Sequence, residues 1–225
     1  MSAGCAPQAL LFDLDGTLVD TAPDLARATN ALRRHHGLPA LPYALIRAQV
    51  SNGGSALVAL AVGIDKQADG HEAARTFLLE AYGEALAEQS RVFPPLTPLL
   101  AEWQAGQRPW GIVTNKPRRY AAPLVEALGL APGALLCADD LPVKKPDPAP
   151  LIEAAYRLDT PPEACWYIGD HRRDMEAARA AGMAAVAVGY GYIEAGDDYR
   201  AWPADLWFDS ADALVAALNN MRQTG

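Results

Sequence analysis

Short apolar runs alternate with longer stretches of helical periodicity along most of this chain. Residues 9–12, 110–113, 134–137, 165–168, 184–188 and 206–208 read as strands, apolar on both faces as in a sheet covered on each side. After them, residues 119–128, 148–158, 173–181 and 211–221 carry apolar positions at helical spacing. Gly129 and Gly182 stand where helix C-caps are expected. Strand–helix alternation of this kind predicts an α/β fold with a doubly wound, Rossmann-like parallel sheet. The alternation fails between residues 22 and 90, where only helical patterns occur, over 22–36, 41–50, 55–62 and a longer Ala/Glu-rich stretch, 68–89. Pro23 near the entry and Pro94-Pro95 near the exit mark two chain crossings. The pattern therefore predicts a core of residues 1–20 and 92–225. A small all-helical cap, residues 21–91, is inserted after the first strand, above the strand ends where such sheets bind ligands.

Composition narrows the class. With 225 residues, 51% of them hydrophobic and 20% charged, the chain can bury a core and is not disordered. A net charge of −8 argues against nucleic acid as a partner. The three cysteines, Cys5, Cys137 and Cys165, are odd in number and lack metal-ligand spacing, which favours a reducing compartment over a disulfide scaffold. The first eight residues carry no basic leader, and no apolar run reaches membrane-spanning length. The expectation is a soluble cytoplasmic protein with no membrane partner, monomeric or homodimeric.

Candidate chemistry collects where the predicted strands end. The first is followed by Asp13-Leu14-Asp15-Gly16-Thr17, two acids that project to the same side of an extended segment before a glycine turn. Two such acids need a cation or a shared proton between them, and Mg²⁺ suits oxygen ligands; turn-forming aspartates are the plainer alternative. The predicted strand at 165–168 is followed by Gly169-Asp170, and Asp174 comes four residues after Asp170. Asp170 would add a third oxygen group to Asp13 and Asp15, while Asp174 also reads as a helix N-terminal charge. Thr114 and Asn115 follow another strand, as phosphate binders or as an ordinary cap. Lys145, in a loop stiffened by Pro146 and Pro148, can neutralise a phosphoryl group or stand in solvent. The chain has only four lysines, and Lys116, Lys144 and Lys145 fall in these loops, as do Arg118, Arg119, Arg172 and Arg173. That concentration in an acidic protein points to a small anion.

These pieces, in this order, resemble the haloacid dehalogenase superfamily of phosphatases, over essentially the whole chain. The matching residues are Asp13-Leu14-Asp15-Gly16-Thr17, Thr114-Asn115-Lys116, Lys145-Pro146-Asp147-Pro148, and Gly169-Asp170 with Asp174. The insert is similar to the cap of phosphoglycolate phosphatases and β-phosphoglucomutases. The resemblance implies that Asp13 is the nucleophile that forms an aspartyl-phosphate, and that Asp15 is the general acid and then the base. It implies Mg²⁺ held by Asp13, the Asp15 backbone carbonyl and Asp170, with Asp174 in support. Thr114 and Lys145 would bind the phosphoryl group, assisted by Asn115. Dehalogenases of the superfamily have no second acid at position 15, and phosphonate-cleaving relatives have a small residue there and a cap lysine. The cap's one lysine here, Lys66, is placed at the site by no motif. The implied reaction is Mg²⁺-dependent hydrolysis of a small phosphomonoester.

Within the cap, Arg47 and the Gly53-Gly54 turn are candidate substrate contacts, Arg47 for a carboxylate or phosphate and the glycines for close approach, though a plain turn with a surface arginine fits equally. The run Gly189-Tyr190-Gly191-Tyr192-Ile193, with Asp197-Asp198, Arg200, Trp202 and Ala204-Asp205 behind it, resembles the branch acting on N-acetylmuramic acid 6-phosphate; 2-phosphoglycolate is the other candidate. A sugar phosphomutase of the β-phosphoglucomutase type would share the Asp13 intermediate. A phospho-receiver module would share the clustered acids but is shorter and has no cap.

Overall fold

The computed structural model describes residues 6–223; residues 1–5, with Cys5 and most of the segment read as leader-free, lie outside the described residues. The first strand, β1 (Ala9–Phe12), is followed by a two-residue strand, β2 (Val19–Asp20), and by four helices: α1 (Ala22–His35), α2 (Tyr43–Arg47), α3 (Gly54–Val62) and α4 (His71–Gly83). A second two-residue strand, β3 (Arg91–Val92), pairs antiparallel with β2, so the chain leaves and re-enters through one short ribbon. There follow α5 (Leu96–Ala105), β4 (Trp110–Val113), α6 (Arg118–Ala127), β5 (Ala134–Leu136), α7 (Ala149–Arg157), β6 (Cys165–Gly169), α8 (Arg172–Ala180), β7 (Ala184–Val188), β8 (Leu206–Phe208) and α9 (Ala211–Gln223).

The six longer strands form one parallel sheet in the order β5-β4-β1-β6-β7-β8. The chain winds outward from β1 to β5, then crosses back and builds the other half from β6. Strand order therefore reverses at β1, and its C-terminal end opens into the crevice where such sheets bind ligands. Alternate residues explain why the strands are apolar throughout. Leu10, Phe12, Ile112, Ile168 and Val186 bury one face together with Leu99, Trp103, Leu124 and Leu214. Leu11, Val113, Tyr167 and Ala185 bury the other face together with Leu151 and Met175. Full burial of each large apolar side chain contributes about 1.5–3 kcal/mol. Gly111 lets β4 sit close to its neighbours, since a Cβ there would lie 2.9 Å from the Ala134 carbonyl oxygen and from Leu11.

Helices α1–α4 have a core of their own, built on Leu32, Ile46, Leu57, Val58 and Leu78. Tyr120 and Tyr192, from beyond β3, join that cluster. The entry and exit of this helical layer are tied by Asp24, which is fully buried near the start of α1. Its carboxylate accepts from the Ser90 amide at 2.8 Å, the Ser90 hydroxyl at 2.7 Å and the Gln89 amide at 3.1 Å.

Several local expectations are corrected. The helix expected over 41–50 ends at Arg47 and resumes as a 3₁₀ turn, Val50–Asn52, because Val, Ser, Asn and Gly follow one another there. The Ala/Glu-rich stretch 68–89, read as helical with room for a break, forms a helix over His71–Gly83, with Gly70 at φ 84° before it. The β2–β3 ribbon and α5 were not expected: two-residue strands leave no periodicity, and the prolines around Leu96 hide the buried Leu96, Leu99, Leu100 and Trp103 face. Cys137 and Cys165 are free and buried, and burial pushes their thiols up to about 12 and about 11. No helix among the described residues is long and apolar enough to cross a membrane.

Replacing Asp24 by Ala leaves the Gln89 and Ser90 donors without their acceptor. The expected loss is about 3 kcal/mol, read as a fall in Tm of about 6–12 °C by calorimetry.

Candidate active site

The site forms where three strands end beside one another. The amide of Asp13 continues the sheet by donating to the Ile168 carbonyl at 2.9 Å, and the chain then turns sharply, with the Gly16 amide donating to Val19. Gly16 has φ 82°, and a Cβ on it would collide with the Asp170 carboxylate, so only glycine serves there. From the end of β6, Asp170 accepts from the Tyr192 amide at 2.8 Å, the Ser51 hydroxyl at 3.0 Å and the Thr17 hydroxyl at 3.3 Å. Helix α8 starts with a capping box in which His171 Nδ1 accepts from the Arg173 amide and Asp174 accepts from the His171 amide. Asp174 is thus both a helix cap and a member of the site.

Lys145 sits at the centre. Its ammonium is buried 2.9 Å from Asp13 Oδ1 and 2.8 Å from Asp174 Oδ1, and it donates to the Tyr167 hydroxyl at 2.7 Å. The tyrosine hydroxyl in turn donates to the Val113 carbonyl at 2.8 Å. Asn115 fixes the lysine's backbone from both sides, accepting from the Lys145 amide and donating to its carbonyl. Its amide group is therefore engaged on Lys145 and positions that residue. Thr114 is buried; its hydroxyl oxygen accepts from the Lys116 amide, which leaves its own O–H to donate.

Carboxylates of Asp13, Asp170 and Asp174 offer oxygens that all lie within 4.8 Å of one another, against one buried ammonium. Burial, with Asp13 and Asp174 alongside, pushes the Asp170 carboxyl up to about 7. Burial also raises Asp13, and the neighbouring acids together with it outweigh the pull of Lys145. Burial opposes the charge on Lys145, yet Asp13 and Asp174 hold it above its ordinary range. Burial keeps Tyr167 far above its usual value, so it stays a neutral phenol. Three acids to one ammonium, all oxygen donors, is a set that fits a hard divalent cation. The Asp15 carboxylate is not part of that set; it accepts from Lys116 Nζ at 2.8 Å and from the Thr21 hydroxyl at 2.6 Å.

Above these residues opens a cavity of about 590 Å³ whose floor includes Asp13, Asp15, Thr114, Asn115 and Lys145. Its far wall comes from the helical layer, including Gly53 and Gly54 at the start of α3. Arg47 is not brought to this cavity. Its guanidinium donates to the Tyr190 and Gly191 carbonyls at 3.0 and 2.9 Å and lies over the Tyr192 ring, so its charge latches the helical layer to the sheet's loops. Lys66, which no motif placed there, does line the cavity, as do Arg75, Tyr82 and His171. Of the strand-end arginines, Arg173 lines it, while Arg118 pairs with the exposed side, on Asp140. Tyr167 was not singled out from the sequence because it reads as one more apolar strand position; its signal is a hydroxyl in a run otherwise without one.

Residues 7–182 match the model of a family described as haloacid dehalogenase-like hydrolase. Over 204 residues the chain is 44% identical to an N-acetylmuramic acid 6-phosphate phosphatase of Pseudomonas putida, covering 90% of this chain and 92% of that one. A phosphoglycolate phosphatase of Chromobacterium violaceum is 41% identical, with 95% and 97% covered. The crystal structure of a predicted phosphoglycolate phosphatase from Haemophilus somnus superposes with a TM-score of 0.80 at 28% identity, covering 93% and 97%.

Burial gives Asp170 and His171 opposite pH signatures in metal-free protein. Asp170, raised to about 7, stabilises the fold at low pH and loses that contribution as pH rises from about 4 to about 7. His171, lowered to about 4 by burial and by Arg173, works in the other direction over about 4 to 6.5. An Asp170→Asn variant loses the Asp170 slope and keeps the histidine's. Its stability relative to the parent is expected to climb by a few kcal/mol across that window, measured by urea unfolding in chelator.

Proposed function

The chain belongs to the haloacid dehalogenase-like hydrolases and is a phosphatase of that family, and on that premise we propose that it hydrolyses a small phosphomonoester through an aspartyl-phosphate on Asp13, with Mg²⁺ as cofactor. The observation that carries this is the convergence, on one cavity floor, of two carboxylates with distinct surroundings and a buried lysine. Asp13 faces Lys145, while Asp15 faces Lys116 and Thr21.

The two acids divide the work. An oxygen of Asp13 attacks phosphorus, and the bond from phosphorus to the ester oxygen breaks. Asp15 gives its proton to that leaving oxygen. In the second half, Asp15 takes a proton from water, the water oxygen attacks phosphorus, and the bond to Asp13 breaks, releasing phosphate. Phosphoryl transfer is mainly positioning and charge neutralisation, which is what the remaining residues supply. Lys145 and the Thr114 hydroxyl bind the transferring group, Asn115 and Tyr167 hold the lysine in place, and Thr21 with Lys116 orients Asp15. Asp13, Asp170 and Asp174 would hold Mg²⁺, with the Asp15 backbone carbonyl. When bound, the ion balances the clustered carboxylates and the phosphoryl oxygens. Residues 21–91 act as the cap that closes the cavity from solvent. The substrate class is the one named for the relatives, N-acetylmuramic acid 6-phosphate or 2-phosphoglycolate.

Replacing Asp13 by Asn removes the nucleophile at nearly constant shape. Phosphate release is expected to fall by more than about 10³-fold while the circular dichroism spectrum is unchanged; substantial turnover in the folded variant would remove Asp13 from that role. Chelation should abolish release and added Mg²⁺ restore it. Because binding must displace the Asp170 proton, Mg²⁺ affinity is expected to increase from pH 6 to pH 8, measurable by calorimetry.

A further inference from the structure

Every lysine of the chain (Lys66, Lys116, Lys144 and Lys145) lines the same cavity. With Arg75 and Arg173 they make six cationic side chains there, against the carboxylates of Asp13 and Asp15, in a chain whose net charge is −8. The cations form two groups. Lys116 and Lys145 are buried in the floor and already paired with Asp15, Asp13 and Asp174. Lys66 and Arg75 come from the cap. Lys66 is exposed and has no ion-pair partner among the described residues. Arg75 pairs only with Glu72, three residues earlier on α4 and largely exposed, a kind of contact that contributes little. Its Nε lies 3.8 Å from where a Cβ on Gly54 would stand, so the guanidinium rests against the cap turn that faces the cavity. Leu57, Leu79 and Tyr82 contribute apolar surface to the same cavity.

A phosphomonoester brings about two negative charges. The floor cations and Lys144 answer that charge, Arg173 is engaged on the Ser51 carbonyl, and Lys66 with Arg75 are left over. We propose that Lys66 and Arg75 form a second anion subsite, which binds a carboxylate held at the far end of a carbon body from the phosphoryl group. This rests on the phosphatase reading above and divides its two substrates. In 2-phosphoglycolate the carboxylate is joined to the carbon that bears the ester oxygen, so it must lie close to the phosphoryl group on the floor. In N-acetylmuramic acid 6-phosphate the lactyl carboxylate lies across the sugar ring from the phosphate. A cavity of about 590 Å³ is of the size that encloses a sugar phosphate, with the apolar wall against the ring and its acetyl group. The substrate class is a phosphosugar acid.

The test compares kcat/KM for N-acetylmuramic acid 6-phosphate and for N-acetylglucosamine 6-phosphate, the corresponding sugar without the lactyl carboxylate. The proteins are the parent, Arg75→Gln, Lys66→Gln, the double variant and Arg75→Lys. The parent is expected to prefer the acid by about 10–100-fold, the yield of one charge-assisted pair. The double variant should bring that ratio to within about threefold of unity, chiefly through KM, with Arg75→Lys retaining part of the preference. A parent ratio near one, or a ratio that survives in the double variant, overturns the subsite. The affinity ratio of the two esters on an Asp13→Asn background, read by calorimetry, decides the same question without turnover. Failure of the parent to release phosphate from either ester and from 2-phosphoglycolate would instead overturn the phosphatase reading, and the calorimetric ratio would still rule on the subsite.

Discussion

Much of this structure follows from one electrostatic constraint: three carboxylates, two of them buried, crowd together at the end of the central strand beside a single buried ammonium, which pairs with Asp13 and Asp174 and leaves Asp170 to hydroxyl and amide donors. Isolated charges do not survive in such a place, and even a paired set holds only with further hydrogen bonds. The surrounding residues supply these. Tyr167 accepts the third lysine proton direction and passes its own proton to Val113. Asn115 clamps the lysine's backbone. Gly16 and Gly191 have no Cβ because Asp170 occupies that space. The site is dense because each acid needs several donors and none can be spared to solvent.

The same constraint reaches into the cap. Asp170 takes one of its hydrogen bonds from Ser51, a cap residue, and Arg173 donates to the Ser51 carbonyl. Tyr192, whose amide serves Asp170, has its hydroxyl at the mouth of α1, where it accepts from the Thr21 and Ala22 amides and donates to Asp20. Arg47 then covers the Tyr192 ring. One tyrosine therefore joins the carboxylate cluster, the chain crossing and the cap latch. Any change in charge on Asp170 is felt by both Ser51 and Tyr192, so the cap's position and the state of the acids are physically connected.

The sheet was legible because buried parallel strands are continuous apolar runs, and their limits were found to within a residue or two. The strand-end acids were legible as a cluster, but alternation put Asp13 and Asp15 in one cation set, whereas the chain turns at Leu14 and sends the Asp15 carboxylate to Lys116 and Thr21, leaving Asp13 with Asp170 and Asp174. What escaped has a physical explanation too. The β2–β3 ribbon pairs Val19 with Val92 and Asp20 with Arg91, a separation that no local window contains. Arg47 reads as a ligand contact from its charge, but its partners are backbone carbonyls of residues 190 and 191, which carry no sequence signal. Tyr167 and Lys66 show the reverse case. One reads as strand packing and the other is placed by no motif; the tertiary fold sets Tyr167 beneath Lys145 and Lys66 on the cavity wall.

The division of labour between sheet and cap is itself a consequence of packing. Floor residues such as Lys145 are held by strands buried on both faces, where a shift would cost the whole core, so their geometry is stiff. The cap's cations hang from a small separate core and from an exposed loop, where substitution disturbs little else. On the proposed reading, chemistry that tolerates no displacement sits on the stiff floor, and recognition of the ester's far end sits on the helical layer. On that reading, the relatives' names, for esters as unlike as N-acetylmuramic acid 6-phosphate and phosphoglycolate, differ in the part of the molecule that the helical layer would meet.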